Sequence, residues 1–190
     1  MKNILESVQN FKTKRQEAIE NYKRTMAIVN RNYIKGSDKY KERVKSLKEE
    51  RDTTISSLKA AGLATLEQEM TSIRGSITKI VGIAPSEEME RAISKLKGMT
   101  DIEKNIMYEQ LKENASYMDM KMLNAAMGKP FATVDGLLED LDYMEQSLRN
   151  YFNDYVAGSY RCLDIEYGAS LNALDEQVND FVGQYAGSAK

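Results

Sequence analysis

From Ile4 to Ile80 the apolar residues recur mostly at steps of three and four, and one helix-breaking cluster divides the series. Its first part is Ile4, Val8, Phe11, Ala18, Tyr22, Met26, Val29 and Tyr33, interrupted at Arg15. Its second part is Tyr40, Val44, Leu47, Ile55, Leu58, Leu66, Met70, Ile73, Ile77 and Ile80, with Arg51 where an apolar residue is due. Charged residues fill the positions between, so each part reads as one apolar stripe along a long helix. The break is Lys35-Gly36-Ser37-Asp38. Gly36 suits the residue after a helix end, and Ser37 or Asp38 can cap the next helix. A helix unbroken from Asp38 to Val81 would be roughly 65 Å long at about 1.5 Å per residue. Such a rod cannot bury its stripe on itself. Either the first helix folds back on it as a hairpin, or another chain covers it. The short connection favours the hairpin, with dimerisation through leftover apolar surface. Gly62 and Gly75, each costing about 1 kcal/mol inside a helix, mark either a bend or a close helix contact.

Pro85 ends the rod, and Ser86 followed by Glu87 and Glu88 starts a short helix through Met89, Ile93 and Leu96. Thr100 and Glu103 form a capping box that opens a helix through Ile102, Ile106, Leu111, Ala115, Met118, Met122 and Ala125, which stops at Gly128-Lys129-Pro130. Thr133 or Asp135 opens another helix, through Leu141, Leu148 and Phe152 to Gly158. A short helix or turn is expected over Ser159–Gly168, through Cys162 and Ile165. A last helix holds Leu171, Leu174, Val178, Phe181 and Val182, and the tail from Gly187 is expected to be loose. No segment alternates as a strand does, so the expected fold is all-α. It is a long helical coiled-coil hairpin, residues 1–82, followed by a small helical bundle, residues 83–190.

The two parts differ in charge. Residues 1–60 hold 15 basic and 8 acidic residues, and residues 131–190 hold 3 basic and 11 acidic. A basic rod and an acidic bundle can attract each other within a chain or between copies, and head-to-tail contact of unlike surfaces builds rings or open assemblies. Both can equally be ordinary solvated helix faces.

Composition removes most reaction chemistry. The chain has no histidine, one cysteine and no tryptophan, which excludes a Ser-His-Asp triad, a Cys-His pair and any histidine-based metal site. Cys162 alone cannot form a disulfide within the chain and reads as a small buried residue. Glu139 and Asp142 share a helix face but lack the further oxygen ligands a cation needs. Glu87 and Glu90 resemble the carboxylates of two-metal bundles without the histidines those sites use. No catalytic residue, cofactor or metal is expected. No stretch is long and apolar enough for a signal peptide or a membrane span, so no membrane partner is expected and the chain reads as cytoplasmic. The glycosylation pattern at Asn114-Ala115-Ser116 is then a chance match.

What remains is binding. Phe11, Tyr22, Val44, Leu47, Leu58 and Ile73 are the stripe residues expected to carry self-association, into a homodimer or higher. Asp140, Asp142, Tyr143 and Tyr151 are the expected partner surface, since tyrosines anchor interfaces and spaced acids can fill a basic groove. The competing reading places the tyrosines, with Tyr155 and Tyr160, in the bundle core with hydroxyls at its edge. The methionines, among them Met118, Met120, Met122 and Met127, read as core filler. The basic residues between 12 and 48, including Lys12, Lys14, Arg15, Arg31, Lys39, Arg43 and Lys48, could meet nucleic-acid phosphates. The interleaved Glu17, Glu20, Glu42, Glu49 and Glu50 dilute that field, and direct nucleic-acid binding is not favoured.

The stretch Glu17-Ala18-Ile19-Glu20-Asn21-Tyr22, then Tyr33-Ile34-Lys35-Gly36-Ser37-Asp38-Lys39-Tyr40 and on to Leu58, resembles small phage and prophage proteins of Gram-positive bacteria. In those a charged coiled-coil hairpin precedes a short helical domain, and some are scaffolds or accessory proteins of head assembly. The resemblance spans residues 10–130 in style and carries over no functional residue. It departs from the scaffold pattern at the C-terminal end, acidic here where a basic coat-binding element often sits. It implies a non-enzymatic assembly protein of the bacterial host cell's cytoplasm with a capsid-type partner. The alternative is a phage-encoded inhibitor of a host defence nuclease, blocking a nucleic-acid site with its acidic helices or its rod.

Overall fold

The computed structural model describes residues 1–154 and 163–185, and their side chains except those of 163–166. Among the described residues there are seven helices and no strand, so the fold is all-α. The helices are α1 (Lys2–Asn32), α2 (Asp38–Val81), α3 (Glu87–Leu96), α4 (Asp101–Lys112), α5 (Tyr117–Met127), α6 (Asp135–Asp154) and α7 (Leu163–Tyr185). Cys162, Tyr155, Tyr160, Gly158 and the tail from Gly187 lie outside the described residues.

The break between α1 and α2 falls where the sequence puts it. Ser37 N donates to Ile34 O at 3.1 Å, closing a turn in which Gly36 sits at φ +89°, a conformation side-chain-bearing residues avoid. The Ser37 hydroxyl accepts from Tyr40 N at 3.2 Å and so caps α2. The two helices then run antiparallel. Tyr40 donates its hydroxyl to Asn30 Oδ1 at 2.9 Å, Arg51 lies 4.6 Å over the Tyr22 ring, and Asn3 Nδ2 donates to Glu69 Oε1 at 2.8 Å. As one partner's number rises, the other's falls by nearly the same amount, which is the register of a hairpin. Arg51, out of place in the apolar series, is thus accounted for by its stacking on Tyr22.

The described chain forms two compact units. One is Met1–Met70 with the described residues of 143–172, and the other is Thr71–Asp142 with the described residues from Ala173 onward. The grouping differs from the sequential division at 82/83, because α2, α6 and α7 each supply residues to both units.

In the first unit the hairpin seam is closed by the second half of α6. Phe11 meets Phe152 and Tyr151 edge-on, at 5.2 Å and 6.0 Å between ring centres, and Tyr151 packs on Tyr167 at 5.8 Å. Such T-shaped pairs add about 0.5–1.5 kcal/mol beyond area burial. Gly62 is the place where α6 comes closest to α2. A Cβ there would stand 2.8 Å from two ring carbons of Phe152, and Phe152 is itself buried against Phe11. Gly62→Ala is therefore expected to destabilise the protein by about 1–2 kcal/mol, overpacking outweighing the gain in helix propensity. Gly75 has nothing within 4 Å of an added Cβ, so Gly75→Ala is expected to stabilise by up to about 1 kcal/mol. Urea unfolding of the two variants checks the opposite signs.

In the second unit Met89, Leu96, Ala115 and Leu123 form a buried cluster, with Ile93, Met99, Met107, Tyr108, Leu111, Met120 and Met127 packed against it. Methionine does serve as core filler here. Ser86 caps α3, accepting from Met89 N at 3.1 Å. The Thr100–Glu103 box opens α4, and Thr100's hydroxyl, then its amide, hold the Glu103 carboxyl below its ordinary pKa. That cap is intact above the usual carboxylate range and loosens as pH falls on through the lowered value. Gly128, at φ +64°, ends α5 as expected.

One expected helix is two. α4 stops at Lys112 and α5 starts at Tyr117, because Ser116 and Asp119 form a second capping box. Ser116 is buried and its hydroxyl accepts from Asp119 N at 3.1 Å, while Asp119 Oδ2 accepts from Ser116 N at 3.1 Å. Asp119 Oδ1 also accepts from Ser86 N at 2.8 Å and from the Ser86 hydroxyl at 3.2 Å. The carboxylate thus joins the start of α3 to the start of α5. Of the Ser159–Gly168 stretch, expected as a short helix or turn, residues 163–168 are the start of α7, and 159–162 lie outside the described residues.

Candidate interaction surfaces

The stripe residues expected to bind a second copy face inward. Phe11 and Leu47 are buried, and Tyr22, Val44, Leu58 and Ile73 are half-buried. In the first unit α1 and α2 line the seam and α6 covers Phe11, so Phe11, Tyr22, Val44, Leu47 and Leu58 lie along the hairpin of one chain, while Ile73 belongs to the second unit. A crevice remains in the seam where small side chains meet, lined by Ala18, Thr25 and Thr54 beside Tyr22 and Leu47.

The expected partner surface splits. Tyr151 is wholly buried and belongs to the core, which corrects its assignment as a partner-binding residue. On α6 it shares the inward face with Leu141, Met144 and Leu148 at steps of three and four, whereas Tyr143 is 75% exposed. Asp140 is exposed. Asp142 is exposed too but engaged, accepting from Arg74 Nη2 at 2.6 Å. Asp135 and Glu139 add to the exposed acids of α6. Among the described residues no group of three or more carboxylates or thiols could hold a metal ion, and Glu87 is paired with Arg91 at 2.7 Å. No helix among the described residues is long and apolar enough to cross a membrane.

Two further surfaces stand out; the sequence reading offers the basic residues of the first to nucleic acid and places no isoleucine beside them. The first is the closed end of the hairpin. Residues 23–48 hold nine basic and two acidic residues, so the whole positive excess of residues 1–60 lies around this turn. Lys23, Arg31, Lys35, Lys39, Arg43 and Lys48 are exposed and have no ion-pair partner among the described residues. Lys41 and Lys45 have loose partners, Asp38 at 3.6 Å and Glu49 at 3.8 Å, and exposed pairs of that kind contribute little. Beside these cations Ile28 is 56% exposed, Tyr33 38% and Ile34 83%.

The second is the outer face of α4, a helix with no buried residue. Ile102 and Ile106 are 75% and 56% exposed. Glu109 and Glu113 follow them at the next positions of the same face and are also exposed. Glu109 pairs with Lys112 and raises the lysine's pKa. The amphipathic spacing of Ile102 and Ile106 was visible in the sequence, but α4 turns its other side, through Met107, Tyr108 and Leu111, to the core.

The second unit also has an open groove lined by Tyr108, Pro130, Phe131, Phe181 and Tyr185. Lys129 Nζ lies 3.4 Å over the Tyr108 ring at one side of it. Burial pushes the Tyr185 hydroxyl above its ordinary pKa. No protein-family model, curated protein or solved structure matches the chain.

Proposed function

We propose that the chain is a non-enzymatic docking protein of phage-type particle assembly, scaffold-like in that a helical hairpin carries surfaces that bind protein. One observation above the others supports this reading. Apart from Tyr143, the large apolar side chains left exposed among the described residues gather at two places, the hairpin turn and the outer face of α4. Clustered exposed isoleucines rimmed by charge are the mark of a protein-binding surface rather than of a reaction site. The partner expected is a capsid-type protein. In fractionated producing cells, the chain should sediment with coat-protein shells, and Ile34→Asp or Ile106→Asp should release it. Sedimentation of the chain as a free protein in cells full of shells would refute the reading.

A second reading, inhibition of a host defence nuclease, is favoured by the acids of α6. Asp135, Glu139 and Asp140 are exposed, and the chain carries no lysine or arginine between Lys129 and Arg149. An inhibitor using this face would compete with guide RNA or target DNA for one nuclease, and Asp140→Arg would weaken it. A scaffold-type docking protein would do neither.

A further inference from the structure

We infer that the hairpin turn of one copy docks on the outer face of α4 of a second copy, joining copies head to tail. The proposal rests on the docking reading above and gives both surfaces to a second copy, an open chain of copies keeping one of each free at its ends for the capsid-type protein.

The two surfaces are matched in kind and opposite in charge. On α1, Arg24, Ile28 and Arg31 fall at successive positions of one exposed face, and the turn just beyond adds Ile34 and Lys35. On α4, Ile102, Ile106 and Glu109 fall at successive positions of one exposed face, and Glu113, the residue just past the helix, continues it. The α1 stripe sets a cation on each side of its isoleucine, and the α4 stripe sets its acids beyond the second of two isoleucines. Within these positions neither stripe holds a residue of the opposite sign, and Glu20 and Lys112 flank them. The local partners are exposed pairs that contribute little, Arg24 lying 3.8 Å from Glu20 and Glu109 pairing with Lys112.

Charge alone would admit nucleic acid at the turn. The isoleucines decide against it, because a phosphate backbone offers Ile28 and Ile34 nothing apolar to bury against, whereas α4 offers Ile102 and Ile106. Unlike surfaces meeting in this way form a heterologous contact, which propagates into rings or open chains instead of closing as a two-fold dimer. Self-association therefore runs through the two exposed stripes and not through the buried seam residues Phe11 and Leu47.

The test is a charge swap on the full chain, read as mass by light scattering during size-exclusion chromatography over a hundredfold concentration range. Wild type is expected to grow beyond a dimer with concentration and to shrink at about 0.5 M salt, where screening is short-ranged. Arg24→Glu/Arg31→Glu and Glu109→Lys/Glu113→Lys are each expected to stay monomeric at concentrations at least tenfold higher than wild type tolerates. All four positions are exposed, and unchanged helical circular dichroism verifies folding. Mixed in equal amounts, the two variants are expected to assemble again, since each turn then meets an α4 of opposite sign. A wild type of fixed monomer mass overturns the proposal, as does assembly unaffected by either swap. A wild type that gains mass only on adding nucleic acid also overturns it. Shell capture by a chain of fixed mass would sink self-docking while leaving the docking reading intact.

Discussion

Tyr151→Ala is expected to cost about 3–5 kcal/mol of stability, and Tyr143→Ala, eight residues earlier on the same helix, less than about 0.5 kcal/mol. Tyr151 is fully buried and Tyr143 is 75% exposed. Removing the Tyr151 ring takes one wall from Phe11, Phe152 and Tyr167 together, which meet it at 6.0, 5.7 and 5.8 Å. The cavity left behind cannot collapse easily, because Phe152 is already held over Gly62 and Phe11 lies on α1. For a chain of this size the loss corresponds to a fall in Tm of roughly 6–20 °C. Thermal unfolding of the two variants decides the placement. Equal, small effects would mean that Tyr151 is a surface residue after all, and that the aromatic cluster closing the hairpin seam is wrong.

The contrast between these tyrosines marks the limit of local reading. Helix existence was legible: the turn at Gly36-Ser37, the stop at Pro85, the Ser86 cap, the Thr100–Glu103 box and the stop at Gly128 are chemistry within a few residues of chain. Facing was less so. Ile102 and Ile106 have core-like spacing, yet α4 buries none of its residues, and only the position of α3 and α5 decides which side it turns inward. The hidden break at Ser116 has a related cause. Leu111, Ala115, Met118 and Met122 keep helical spacing straight across it, and no glycine or proline marks the place. The one signal was Ser116-x-x-Asp119, a capping box inside an apolar run, which periodicity outvotes. Gly62 was open to two explanations for the same reason. Its neighbour Phe152 stands 90 positions away in sequence, and no local pattern names a partner at that distance. The binding residues shared this limit. A stripe such as Phe11 and Leu47 announces that something covers it, and here the cover lies in the same chain, α6 over Phe11 and α1 beside Leu47.

Asp119→Ala is expected to cost about 3 kcal/mol, and Asp119→Asn about half as much. Asp119 is 5% exposed and takes hydrogen bonds from Ser86 N, the Ser86 hydroxyl and Ser116 N. Bonds to a charged acceptor contribute about 1.5–3 kcal/mol each, and a buried N–H left without a partner costs about 1–3 kcal/mol. Alanine removes both acceptor oxygens at once, so the amide of the buried Ser116 loses its partner and the entry into α3 loses its tie. Asparagine keeps one oxygen. Turned toward Ser86 it preserves the tie between α3 and α5, but it then sets an amide NH2 against Ser116 N–H, donor against donor. The intermediate loss is therefore assigned to the α5 cap. A double-mutant cycle with Ser86→Ala separates the two functions: a coupling near 1 kcal/mol between positions 86 and 119 belongs to the inter-helix tie, and the remainder to capping. An Asp119→Ala variant within about 0.5 kcal/mol of the parent would contradict both. In that case α4 and α5 would be free to merge into the single helix that the apolar spacing alone describes, and α4 would have no fixed outer face to present.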